Sequence, residues 1–302
     1  MLRRLIAAAL TVSSLCAPAQ AEPRETLGWG RLFTNDRIGD RGDRWRTGSY
    51  HLSLVRGPNW EGHAPARPGA LLEYRLRAEI ISPAQLSGPG PDDRPYVGAI
   101  SLGVHSHWQP QHWQLEAGGD LVAVGPSTGL SGFHRWAHDA MSSPRLGSVE
   151  DRQLDDALHL SFSTEAARPV DLGERVWLRP FVAAQAGPET LVRAGADMFF
   201  GGLGRHDLLV RDQVTGQLIR AVEGEHAALA IVLGADAARV TDSAWLPEPV
   251  EAKDVRLRAR AGLHWQISDD MSFFYGATWL SEEFEAQSEP QVLGGLKVNL
   301  NF

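Results

Sequence analysis

The chain has one cysteine and two lysines. Cys16 falls within the first 21 residues, so residues 22–302 carry no thiol at all. That excludes a disulfide framework, a thiolate nucleophile and a sulfur-ligated metal from the body of the protein. Lysine occurs only as Lys253 and Lys297, leaving arginine to supply nearly all positive charge. Two explanations fit: a genomic bias, or fixed ion pairs in a polar interior. Long apolar runs are missing too. Beyond the N-terminus the best is "HAALAIVLGADAA", well short of the roughly 20 apolar residues of a membrane-spanning helix. A basic excess is also lacking: the formal charge is -8, which does not suit a nucleic-acid binder.

What is present begins with "MLRRLIAAALTVSSLCAPAQA". Arg3 and Arg4, an apolar run and Ala19-Gln20-Ala21 stand in the order of a secretory signal peptide, with cleavage expected after Ala21. Leu15 precedes Cys16 where a lipid-attachment signal needs a small residue, which disfavours a lipoprotein. Cleavage removes two arginines and no acid, taking the charge from -8 to -10. No linker, charge block or repeat of 20 to 50 residues divides the remainder, so residues 22–302 read as one domain.

A period of two runs through that domain. In "VRLRARAGLHW", Val255, Leu257, Ala259, Ala261, Leu263 and Trp265 alternate with Arg256, Arg258, Arg260, Gly262 and His264. The result is a strand with one apolar and one basic face. Leu72, Tyr74, Leu76, Ala78 and Ile80 alternate likewise with Glu73, Arg75, Arg77 and Glu79. Charged faces of both signs suit a barrel lumen, where arginines and carboxylates pair. Thirteen candidate strands run from 27–35 to 290–302, including one at 207–222. Single-chain bacterial barrels use even numbers, so at least one candidate is not a wall strand. Tyr50, Tyr74, Tyr96, Trp108, Trp113, Trp177, Trp265 and Trp279 lie near strand ends, as membrane girdles or as core anchors. The last segment, "QVLGGLKVNLNF", alternates to a terminal Phe302. These features together resemble bacterial outer-membrane barrels: all-β, antiparallel and transmembrane.

Three loops interrupt the pattern. "TNDRIGDRGDRWRTGSY" places Asp36, Asp40 and Asp43 beside Asn35, hard oxygen donors of the kind calcium prefers. It has no EF-hand register, and an acidic surface loop reads the same way. "DDRPYVG" enters a strand through Pro95. "VGPSTGLSGFHRWAHDAM" stops a strand at Gly125-Pro126 and continues at helical spacing through Phe133, Trp136, Ala137 and Met141. His134 and His138 then share a helix face. A metal clip, a catalytic base with a neighbour and a solvated helix face all remain open. The zincin pattern wants glutamate directly after the first histidine, and Arg135 stands there. His105, His107 and His112 are further candidate ligands.

"TND", "DRWRTGS", "DRPYVGA", "VGPSTG", "HRWAH", "DRQL" and "SEEFEAQ", in this order and before a terminal phenylalanine, resemble the lipid A 3-O-deacylase family. The resemblance covers most of residues 22–302. It implies an outer-membrane barrel of about 12 strands, exported by a cleaved signal peptide, with its active site between the outer wall and a short helix in an extracellular loop. It implies calcium (Ca2+)-dependent hydrolysis of the ester holding an acyl chain at the 3 position of lipid A, with lipopolysaccharide as substrate and outer-membrane lipid as surroundings. By position, the family's asparagine and aspartate fall on Asn35 and Asp36 and its essential histidine on His138, while His134 stands where glutamine is usual. The family's threonine or serine falls at Thr47 by residue type and at Arg46 by strict alignment. A basic pair carried by some members has no counterpart in "SPAQLSGPGPD", leaving Arg94 as the candidate for phosphate contact. The implied chemistry resembles that of phospholipase A2, with a histidine base activating water and a cation, held by Asp36, Asp40 and Asp43, taking up charge from the ester carbonyl. The rivals are a non-catalytic barrel, either pore or structural, and a barrel phospholipase.

Overall fold

A computed structural model describes residues 24–86, 90, 92–141, 152–224, 229–268 and 271–300. The expected signal peptide, residues 1–21, and the terminal Phe302 lie outside these residues, as does Asp151 of "DRQL".

Alternation of apolar and polar side chains forces one long sheet to close on itself. The first half of the wall is β1 (Glu25–Asn35), β2 (Trp45–Gly57), β3 (Leu71–Ser82), β4 (Val97–Trp108), β5 (Gln114–Val124) and β6 (Ala157–Ala167). A short β7 (Val170–Gly173) extends the edge of β8 (Val176–Ala186), which is followed by β9 (Glu189–Phe200). A two-stranded hairpin, β10 (Leu208–Arg211) and β11 (Leu218–Val222), stands apart from the wall sheet. β12 (Leu229–Ser243), β13 (Val255–Ser268), β14 (Met271–Leu280) and β15 (Gln291–Leu300) complete the wall. All neighbours are antiparallel. β1 pairs β15 and β6 pairs β8, so twelve strands make a closed barrel without free edges.

The faces fall as their chemistry requires. In β13, Val255 is 51% exposed and Trp265 49%, whereas Arg258 and Arg260 are each 5% exposed. Inside, these arginines meet carboxylates of neighbouring strands: Arg258 bonds Asp236 at 3.0 Å and Arg260 bonds Asp197 at 2.5 Å. Arg75 on β3 reaches Glu73 at 2.7 Å and Glu116 at 2.9 Å. The arginine-rich composition thus serves as a lattice of fixed pairs. Outside, Leu102, Val104, Leu121, Leu160, Ile231 and Leu233 form the apolar surface a bilayer requires.

The excess strand candidate is the one at 207–222. It is a hairpin packed inside the lumen, with every residue of β11 buried and Ala221 lying against Gly28 and Gly30 of β1. A Cβ at Gly28 would stand 2.2 Å from the Ala221 carbonyl oxygen, so only glycine permits this approach. Arg211 of the hairpin bonds Glu165 and Asp197, and Gln217 donates to the Ala261 and Ala277 carbonyls. Two of the eight girdle candidates also belong elsewhere. Trp177 is buried against Phe199, ring centroids 3.8 Å apart, and Tyr96 is wholly buried at the opposite end.

Candidate active site on the outer wall

The loop joining β1 to β2 is bent back over the wall. Asn35 ends β1 and caps the short turn Asp36–Ile38, its Oδ1 accepting from the Arg37 amide at 2.8 Å. Gly48 faces Asn35 across the β1–β2 ladder, and a Cβ there would stand 3.0 Å from the Asn35 amide nitrogen. Asp40 pins the loop to β15: its Oδ2 accepts from the Val292 amide at 2.9 Å and its Oδ1 from the Gly42 amide at 3.0 Å. Both oxygens are therefore occupied by backbone donors. Arg41, Asp43 and Trp45 take left-handed conformations, with φ of 67°, 50° and 57°. Such backbone costs about 1 to 2 kcal/mol for each residue with a side chain. This strained path turns the Asp43 carboxylate toward the helix.

That helix, α1 (Leu130–Ala140), lies against the outer face of β3 and β4. Its seat is Gly98, where an added Cβ would come within 3.0 Å of both Leu130 Cβ and Thr128 Oγ1. The face turned to the wall carries His134 and His138, 5% and 4% exposed; the opposite face presents Phe133 at 55% and Trp136 at 65%. A helix that buries histidines and exposes aromatics has its polarity reversed relative to a soluble surface helix. An apolar surrounding makes sense of it.

Between helix and loop the imidazoles meet Asp43. His138 Nε2 lies 3.1 Å from Asp43 Oδ2, and His134 Nε2 lies 3.7 Å from Asp43 Oδ1. The two imidazoles stand edge to face, 4.5 Å apart. On the far side of His134, Nδ1 lies 3.4 Å from the Tyr96 hydroxyl. Asp36 lies beneath, buried, with Oδ2 accepting from the Arg44 amide at 2.9 Å. Burial, with the nearby Asp43 charge next in weight, pushes the Asp36 carboxyl up to about 7. Burial also acts to raise Asp43, but the His134 hydrogen bond and the His138 and His134 charges hold it below its ordinary value.

The other sequence candidates divide. Thr47 is the extra residue of a bulge in β2, buried on the same outer side, its hydroxyl bonded to Ser82. Arg46 and Arg94 are not brought to the histidines. Arg46 turns into the lumen, where Glu79 (2.6 Å), Glu283 (2.8 Å) and Glu189 (3.3 Å) surround it. Arg94 is buried and bonded to the same Glu283 at 2.5 Å. Both are thus engaged by Glu283 rather than by the residues around His138. Asp40 clips the loop to β15 through both carboxylate oxygens, and its charge still acts to raise Asp36. His105 and His107 belong to a lumenal cluster with Glu116 and Glu73. Tyr96 was visible in "DRPYVG", yet nothing in its spacing tied it to His134.

A family model described as outer membrane protein LpxR matches residues 5–302. LpxR from Salmonella typhimurium superposes with a TM-score of 0.72 at 15% identity, covering 91% of this chain and 100% of that one. At that identity the likeness is one of fold. The β domain of the Bordetella autotransporter BrkA (TM-score 0.48, 10% identity, 91% and 99% covered) and the NanC porin (0.41, 6%, 91% and 100%) are more distant barrels. No characterised protein sequence matches significantly.

Proposed function

The chain belongs to the LpxR family of outer-membrane proteins, the lipid A 3-O-deacylases, and from that premise we propose that it removes the 3-O-linked acyl chain of lipid A by histidine-assisted ester hydrolysis. The observation that carries the reading is the Asp43–His138 pair, 3.1 Å apart and sheltered between the outer wall and an aromatic-faced helix. A lipid ester reaches such a site from the membrane side without entering the barrel. The lumen is occupied by the β10–β11 hairpin, which argues against a pore.

In this mechanism His138 accepts a proton from the water that attacks the ester carbonyl. The Asp43 carboxylate beside Nε2 compensates the imidazolium charge until the proton passes to the leaving alkoxide. His134, held between Asp43 and Tyr96, orients the water or the substrate. Asn35 and Thr47 sit on the same outer side, where their amide and hydroxyl meet the polar part of the ester.

The acidic loop fits calcium in reduced form. Burial and the Asp43 and Asp40 charges raise Asp36, against the Arg44 and Arg37 backbone hydrogen bonds that act to lower it. A cation relieves such repulsion. Asp36 and Asp43 would hold the ion, with Asp40 of the same loop adding its charge. When bound, calcium supplies a Lewis acid that polarises the ester carbonyl.

The test is mass spectrometry of lipid A from a host expressing the protein with calcium present. Loss of the 3-O acyl chain with wild type and its retention with a folded His138→Ala variant are expected. An unchanged acyl pattern with wild type overturns the reading, and cleavage of glycerophospholipids instead identifies a barrel phospholipase.

A further inference from the structure

Calcium takes oxygen ligands, yet the potential ligand cluster found at the site among the described residues is two nitrogens and one oxygen. The donor atoms of Asp43, His134 and His138 all lie within 4.8 Å of one another. We propose that Asp43, His134 and His138 form a binding site for a borderline divalent cation of the zinc class, and that filling it shuts the hydrolytic site.

Four observations converge. The histidines are one helical turn apart on α1, so the helix itself fixes their spacing. Their Nε2 atoms stand 3.1 and 3.7 Å from the two Asp43 oxygens. Zinc held tetrahedrally at about 2.0 to 2.1 Å places its donors about 3.3 Å apart, so little movement closes the set around an ion. The Tyr96 hydroxyl at His134 Nδ1 orients that ring so that Nε2 faces the carboxylate, the outer-shell arrangement that metal-binding imidazoles use. Finally, both histidines are nearly fully buried while Asp43 keeps partial exposure, which gives an ion a route inward.

Two imidazoles with one carboxylate suit zinc, nickel or copper far better than calcium or magnesium. Arg135 follows the first histidine, so the helix lacks the glutamate with which HExxH zinc hydrolases activate water. The bound ion therefore acts by occupancy. It takes Asp43 away from His138 and ties up the imidazole, so a hard cation supports the site and a softer one blocks it. The inhibitory half rests on His138 acting as base, as proposed above; the binding half does not.

The experiment titrates zinc chloride into the full-length protein in detergent, followed by calorimetry and zinc X-ray absorption. One zinc per chain is expected, with two imidazole nitrogens in its first shell. His134→Gln and Asp43→Asn, each checked for the heat-modifiable mobility of a folded barrel, are each expected to weaken zinc at least tenfold. The lumen offers a rival set, Glu73, His107 and Glu116. Zinc binding that survives both outer-wall substitutions but is lost in His107→Gln overturns the proposal, as does failure of wild type to bind zinc. In calcium-supported deacylation by wild type, saturating zinc is expected to lower the rate at least tenfold; zinc bound at the outer wall with no loss of rate overturns the inhibitory half. A protein that binds zinc there but removes no acyl chain sustains the metal site and refutes the catalytic reading instead.

Discussion

Replacing Asp36 by asparagine preserves the shape of the side chain and its ability to accept from the Arg44 amide, but removes the charge. A buried carboxyl raised from 3.8 to about 7 binds its proton more tightly in the folded loop than in the open one. The folded loop is thus favoured most below pH 3.8, loses stability as pH rises toward 7, and bears the whole penalty above that. About three pKa units at 1.36 kcal/mol each set an upper bound of about 4 kcal/mol at pH 8. At pH 5 the same linkage leaves only about 1.5 kcal/mol. Hydrogen exchange of peptides covering residues 36–44, in detergent with calcium chelated, reads this directly as a change in local opening. At pH 8, Asp36→Asn should slow exchange by a factor of about 30 to 1,000, corresponding to roughly 2 to 4 kcal/mol, and by much less at pH 5. The same variant should not deacylate. Calcium should slow exchange in wild type at pH 8, with the effect fading as protons compete below about pH 7. Equal or faster exchange in Asp36→Asn at pH 8 refutes the claim that an uncompensated carboxylate strains this loop.

Three further outcomes follow from the geometry. Phe133→Ser with Trp136→Ser should lower activity on lipopolysaccharide in bilayers at least tenfold while sparing a detergent-dispersed substrate, because each ring contributes on the order of 1.5 to 3 kcal/mol when buried in lipid; equal losses in both assays contradict the membrane-facing assignment. Arg46→Ala should destabilise the barrel by about 3 to 5 kcal/mol through the unpaired charges of Glu79, Glu189 and Glu283. Its signature is a lower thermal midpoint with KM unchanged, and a changed KM at constant stability would return Arg46 to the substrate. Gly98→Val should abolish activity in a barrel that still folds, since the added carbons meet Leu130 and Thr128 and lift the helix; full activity would mean that the helix does not need its seat.

The wall was legible in sequence because each residue of β13 reports its own environment: Val255 through Trp265 face outward and Arg256 through His264 inward as their alternation requires. The hairpin at 207–222 misled because a short apolar run buried on both faces reads as a strand without saying which sheet it joins. Asp43 and His138 were visible as chemistry but not as partners. Their contact depends on left-handed backbone at 41, 43 and 45 and on a glycine seat at 98, neither of which leaves a periodic trace. Arg46 and Arg94 were read without the partner that holds them, Glu283, which lies 237 and 189 positions away along the chain. Charge pairing across a closed barrel is invisible to local pattern.

The position of α1 on the outside of the wall also bears on how the proposed substrate would find the site. On that proposal a lipid would slide in from the surrounding leaflet, making encounter a two-dimensional event governed by the mole fraction of substrate among its neighbours. Diluting lipopolysaccharide with detergent should then slow the reaction at constant bulk concentration, and crowding it in a leaflet should speed it. Lipid would lie against the exposed Phe133 and Trp136 of the helix. For such an enzyme, packing of the surrounding lipids controls turnover as directly as any residue does.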